Sequence, residues 1–301
     1  LTLYSLLFTL YFMPPSRHFR KLLEHHWSEG RFVCVGLDSQ LEKIPPAVQQ
    51  RNSDGSLAIK ETIVAFNRAI IEATHDLICA YKPNTAFYEA HGLAGIAALE
   101  ETMRLFHTIA PNVPIILDAK RGDIGNTNNG YIASAFDHLK ADAITLHPYM
   151  GKKSLQPFLD RADKGIIILC RTSNEGADEF QNLSIDGEEL YKKVARQISS
   201  HWNQNNNCGL VVGATCPNEL REVRQIVDTM PLLIPGIGAQ GGSVEETVHA
   251  AKDSHGAGMI INSSRGIIFA SKEKDFAEAA RRETDKLHHL IHQIISTSSG
   301  H

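Results

Sequence analysis

PIILDAKRGDIGNT, residues 114–127, begins as an apolar run and ends among four charges, Asp118, Lys120, Arg121 and Asp123. A strand in a protein core does not normally end this way. One buried charge alone is costly, but alternating signs offset much of that cost. Asp118 and Lys120 are two apart, a spacing that puts both side chains on one face of a strand. On spacing alone the pair either closes the top of a core or does chemistry there.

The pattern repeats along the chain. Apolar runs at 31–38, 76–83, 142–148, 165–173, 209–216, 231–238 and 257–266 join 114–120 as candidate strands. They are nearly continuous rather than alternating, as in a parallel sheet covered on both faces. Helical periodicity lies between them, at 59–75, 94–110, 188–202 and 217–227, with a last helix from about Lys272 to Ile295. Eight β-then-α units in 301 residues predict a single-domain α/β protein, a (β/α)8 TIM barrel. A doubly wound open sheet is the alternative, but no Gly-x-Gly-x-x-Gly follows the first strand. The polar inserts 39–58 and 174–187 read as loops at the C-terminal ends of the first and fifth strands.

Polar residues gather where the strands end. They are Asp38, Lys82, Asp118 with Lys120, His147, Arg171-Thr172-Ser173, and Asn262-Ser263-Ser264-Arg265. One such residue would be a loop charge facing solvent. In a barrel all these ends open on one face, so together they predict one site. After the seventh strand, PGIGAQGGS (235–243) is glycine-rich and leads into a helix. Glycines also serve tight turns. With Arg265 after the next strand, they predict a phosphate site of backbone N–H groups and a bidentate guanidinium.

The chain is 43% hydrophobic and 21% charged, with a net charge of -4. It has no basic patch, which argues against nucleic acid and anionic membrane as partners. Cys34, Cys79, Cys170, Cys208 and Cys216 are odd in number and form no C-x-x-C. A reducing, cytoplasmic compartment with neither disulfide nor zinc is expected. The pairs His25-His26 and His288-His289 read as solvated helix faces rather than metal ligands. Residues 1–12, LTLYSLLFTLYF, are too short to span a bilayer and lack a basic region and a cleavage site. The expectation is a natural start at Met13, with 1–12 a non-native or disordered extension and 13–301 the domain. A membrane anchor is the lesser reading.

Asp118, Lys120, Asp123, Ile124 and Thr127 spell D-x-K-x-x-D-I-x-x-T, which resembles the signature of the orotidine 5′-phosphate decarboxylase family. DAKRGDIGNT is similar to the longer bacterial subgroup, type 2. The resemblance runs from Phe32 to Arg265 and takes in VGLD, YKPNTAFYE, HPYMG, CRTSNEG, PGIGAQGG and INSSRGI in order. It departs at His147, where the subgroup usually has Asn, and at Asn128, usually small or aliphatic. Neither is expected to touch the charged array.

The resemblance implies decarboxylation of orotidine 5′-monophosphate to UMP in de novo pyrimidine synthesis, with no metal or organic cofactor. It implies a catalytic tetrad of Lys82, Asp118, Lys120 and Asp123. Asp123 and Thr127 would come from the neighbouring subunit of a homodimer with shared active sites. Asp38, Lys82, Asp123 and Thr127 would hold ribose hydroxyls, Ser173 the pyrimidine edge, and Gln240 and Arg265 the phosphate. The 174–187 and 239–243 loops would close over substrate. One alternative is a Mg-dependent sugar-phosphate decarboxylase or aldolase sharing D-x-K-x-x-D, against which Ile124 and Thr127 stand. Another is a non-catalytic phosphate-ligand-binding barrel, against which the filled tetrad stands.

Overall fold

The computed structural model describes residues 17–238 and 241–298. The expected extension at 1–12 and the expected phosphate contact Gln240 lie outside the described residues. Eight strands carry the fold: β1 (Val33–Leu37), β2 (Ala80–Pro83), β3 (Ile116–Arg121), β4 (Ala143–Leu146), β5 (Gly165–Arg171), β6 (Cys208–Val212), β7 (Leu232–Ile234) and β8 (Met259–Ser263). They pair in parallel in the order β2-β1-β8-β7-β6-β5-β4-β3. The ring closes between β2 and β3 through two isolated parallel bridges, Tyr81 with Ile115 and Asn84 with Asp118. There the Tyr81 N–H donates to Pro114 O at 3.0 Å and the Thr85 N–H to Asp118 O at 3.2 Å.

The apolar runs form strands because both faces are covered. Val33, Val35, Leu37, Ile166, Ile168 and Ile260 are all fully buried. The helix Ile59–Thr74 lays Ile63, Phe66, Ile70 and Ile71 on the barrel, a spacing of one helical face. Each such side chain contributes about 1.5–3 kcal/mol when taken from water. Phe66 also stacks on Phe269 and Phe276, with centroids 5.5 and 5.4 Å away. The strands are shorter than the expected runs because the chain bends into loops at the mouth.

Some elements differ from expectation. The 188–202 stretch splits into a short strand Glu188–Glu189, which pairs with Ser184–Ile185 of the preceding insert, a helix Leu190–Gln197 and a π turn Ile198–Trp202. The 174–187 insert is therefore partly ordered, and also holds a 3-10 turn, Glu175–Glu179. The helix that carries His25-His26 spans Phe19–Ser28, while Gly125–Ile132 and Gly151–Leu159 are among the helices that were not foreseen. The first closes the bottom of the barrel, where the Trp27 indole N–H donates to Met259 O at 2.8 Å. His26 on this helix is buried, which corrects the solvated reading for that residue. Its Nε2 lies 2.9 Å from Asn112 O, and burial lowers its pKa. Among the described residues no helix is long and apolar enough to cross a membrane.

Candidate active site

Asp38 follows β1, Lys82 sits on β2, and Asp118 and Lys120 sit on β3. The fold brings these four to one mouth. Lys82 Nζ lies 2.9 Å from Asp118 Oδ2 and 3.9 Å from Asp38 Oδ1. Lys120 Nζ lies 2.7 Å from Asp118 Oδ1. The charges therefore alternate, Asp38, Lys82, Asp118, Lys120. Lys82 and Asp118 are buried, while the Lys120 side chain is 49% exposed.

Burial opposes the charge on Asp118. Lys82 and then Lys120 outweigh it and hold the carboxyl well below the usual carboxylate range. Burial equally opposes the charge on Lys82, and Asp118 and Asp38 overcome it, raising the ammonium above its ordinary value. Both groups thus stay ionised at neutral pH. The Cys34 thiol behind them is pushed up to about 12 by burial and stays protonated.

Asp118 and Lys120 meet, but not by simple strand alternation. The β3–β4 ladder pairs Leu117 with Ile144 and next Arg121 with Leu146, so β3 has four steps where β4 has two. The extra residues form a bulge, and Lys120 takes a left-handed backbone, φ 46°. Thr145 on β4 holds the bulge. Its hydroxyl accepts from the Lys120 N–H at 3.0 Å and donates to Asp118 Oδ1 at 2.9 Å. Sequence reasoning missed this residue. Its signal was one hydroxyl inside the apolar run DAITLHP.

A cleft of about 150 Å³ opens beside the array, lined by Asp38, Lys82, Asp118, Gly236, Asn262 and Arg265 among others. Asp38 Oδ1 and Asn262 Oδ1 are buried there without a hydrogen-bond partner. Both are acceptors, so the cleft calls for donors such as sugar hydroxyls. Gly36 lets β1 and β8 come close at this wall, since a Cβ on it would fall 1.9 Å from Ser264 Oγ. Arg265 is exposed at the rim, at the start of the short helix Arg265–Ile268. Ser173 stands at the end of β5 against Gly213, on the same face but outside the lining residues.

Asp123 and Thr127 do not join the array within one chain. The Asp123 carboxylate accepts from the Ile124 N–H at 2.7 Å, and Thr127 is exposed on the helix Gly125–Ile132. The expectation that Asn128 touches no member of the expected tetrad needs correcting, while His147 meets only the neighbouring loop backbone. His147 Nε2 lies 3.1 Å from Gly122 O, and Asn128 Oδ1 accepts from the Asp123 N–H at 2.9 Å. Both reach the backbone that carries Asp123, because the helix and β4 flank this loop. The loop after β5 is pinned as well, with Arg171 Nη2 2.6 Å from Asp178 Oδ1.

Fold and site define a (β/α)8 barrel with an alternating Lys–Asp array at its C-terminal mouth. The profile of the orotidine 5′-phosphate decarboxylase / HUMPS family matches residues 31–282, and the chain belongs to that family. It is 53% identical over 251 residues to the orotidine 5′-phosphate decarboxylase of Herpetosiphon aurantiacus, covering 83% of this chain and 88% of that protein. With the enzyme of the same name from Cellvibrio japonicus it shares 48% over 264 residues, covering 87% and 94%. The structure of Leishmania donovani OMP decarboxylase superposes with a TM-score of 0.78 at 38% identity, covering 92% of this chain and 98% of that one.

Proposed function

We infer that this chain is a carboxy-lyase that converts orotidine 5′-monophosphate to UMP in pyrimidine biosynthesis, with Lys120 as its central catalytic residue. The observation that carries this is the half-exposed Lys120, its ammonium paired at 2.7 Å with Asp118, which lines the cleft. The bond from C6 of the pyrimidine to its carboxylate breaks, CO₂ leaves, and the electron pair stays on C6. No ring carbonyl is placed to delocalise that pair well. A fixed ammonium stabilises it and then delivers a proton to C6, recovering its own from water. Asp118 keeps Lys120 charged and aimed, and Lys82 keeps Asp118 charged.

In this reading Asp38 and Lys82 hold ribose hydroxyls, Ser173 the pyrimidine edge, and Arg265 and Gln240 the phosphate. Binding energy from the phosphate then assists a reaction centred elsewhere on the substrate. Asp123 completes the tetrad from a second subunit, with Thr127 beside it on the ribose. A homodimer is supported by Asp123 standing apart from Lys120 within its own chain. It is also supported by apolar side chains left in solvent after β2, β3 and β4, namely Leu93, Ile124, Met150 and Tyr149, the last 93% exposed. Five free cysteines, four of them buried, fit a reducing cytoplasmic setting. Residues 13–301 are read as one decarboxylase domain. The family profile's description spans more than one activity, and the decarboxylase-named relatives favour this one over a Mg-dependent sugar-phosphate enzyme.

The test is the ultraviolet absorbance of orotidine 5′-monophosphate, followed with and without EDTA. Turnover unaffected by EDTA is expected. Folded, dimeric protein that leaves the absorbance unchanged would overturn the reading.

A further inference from the structure

Residues 121–123 leave β3 and carry Asp123 out of the barrel mouth, and two side chains grip this loop from opposite sides. His147, just after β4, holds one side. Its main-chain N–H donates to Arg121 O at 3.1 Å. Its Nε2 lies 3.1 Å from Gly122 O, and since a carbonyl only accepts, that nitrogen carries the proton. Gly122 lies against the ring, where a Cβ would fall 2.7 Å from Nε2.

Asn128 holds the other side and is fully buried. Its Oδ1 accepts from the Asp123 N–H at 2.9 Å, and its Nδ2 donates to Asp123 O at 2.5 Å and Ser154 O at 2.6 Å. One buried amide thus ties both backbone polar groups of Asp123 to the helix Gly151–Leu159. Arg121 adds an ion pair to Glu89 at 2.5 Å and lies 5.5 Å from the centre of the Tyr131 ring.

The backbone of Asp123 is therefore held at every polar atom, while no Lys or Arg pairs with its carboxylate among the described residues. A carboxylate on a rigid stem loses little freedom when it docks elsewhere. We propose that His147 and Asn128 are positioning residues that present Asp123 to the Lys120 of a second subunit. Each acts on a site belonging mainly to the other chain. This rests on the shared-site reading above.

The test uses subunit exchange. His147→Ala homodimers should lose on the order of tenfold to a hundredfold in kcat, the scale of a misplaced catalytic group. They are mixed with an equal amount of inactive Lys120→Ala protein, and exchange is confirmed by a fluorescence label. In a mixed dimer, the Lys120 of the His147→Ala chain meets an Asp123 held by the intact loop of its partner. About a quarter of wild-type activity should return, because half the dimers are mixed and each has one intact site. If His147 serves its own chain's site, only about half of the His147→Ala activity remains, and the proposal fails.

Lys120→Ala mixed with Asp123→Ala is the parallel control. Recovery there, with none for His147→Ala, overturns the positioning role and leaves the shared site standing. Recovery in neither overturns both. His147→Gln keeps a donor at similar reach and should retain most activity, and a His147→Gln protein as impaired as His147→Ala would count against the donor role. Should His147→Ala fail to fold, Asn128→Ser takes its place in the same mixing.

Discussion

The Thr145 hydroxyl stands between Asp118 and the backbone of Lys120, 2.9 Å from one and 3.0 Å from the other. It takes the place of the ladder hydrogen bond that the bulge interrupts. Thr145→Val keeps the shape and removes the hydroxyl. It leaves the Lys120 N–H unsatisfied, at about 1–3 kcal/mol of stability, and removes one of the three side-chain donors that fix Asp118. A lower kcat with little change in KM is expected, and Thr145→Ser should restore it. Steady-state kinetics beside thermal melts check this, and a Val variant with wild-type kcat would remove Thr145 from the site's architecture.

Lys120→Ala is expected to abolish turnover without unfolding the protein, since its side chain is half-exposed and its loss leaves Asp118 still paired to Lys82. The measurement is kcat alongside circular dichroism. Retention of even a tenth of wild-type kcat would refute the assigned role.

Arg265→Ala should weaken substrate binding by about 1.5–3 kcal/mol, the range for hydrogen bonds to a charged group. The loss should be selective. The phosphate-free nucleoside, a poor substrate for both proteins, should be turned over about equally by each. An equal loss on nucleotide and nucleoside would place Arg265 in some other role.

Asp118 links the site to pH. Its folded pKa lies below the unfolded value, so the stability it contributes is full above the unfolded carboxylate value of about 3.9 and declines as pH falls below it. Asp118→Asn should therefore melt well below wild type at pH 7. The gap should narrow as melts are taken at successively lower pH beneath 4. A gap independent of pH over that range would mean that the charge of Asp118 is not what stabilises the fold.

Much of this was readable from residues alone. Barrel strands are buried on both faces, so they show as nearly continuous apolar runs, and the mouth shows as the polar residues at the ends of those runs. Asp38, Lys82, Asp118 and Lys120 were found that way. The bulge was not, because nothing in DAK marks a left-handed lysine, and alternation gave the right pair for the wrong reason. The helix Gly125–Ile132 was hidden by GNTNNGYI, poor in helix formers. It is held by tertiary bonds such as those of Asn128, which appear only once Ser154 and Asp123 are brought together. The burial of His26 was missed for a like reason, since Asn112 lies far along the chain.

The junction of β2 and β3 has only two isolated bridges, and the Lys82–Asp118 bond runs across it. Where the other neighbours are laced by ladders of two or more paired residues, this seam depends in part on an ion pair that also belongs to the catalytic apparatus. Hydrogen exchange of the Tyr81 and Thr85 amides, which donate across the seam, should then report on the electrostatics of the site. The barrel has little room to tune that charge pair for chemistry without changing how readily it breathes open along this one line.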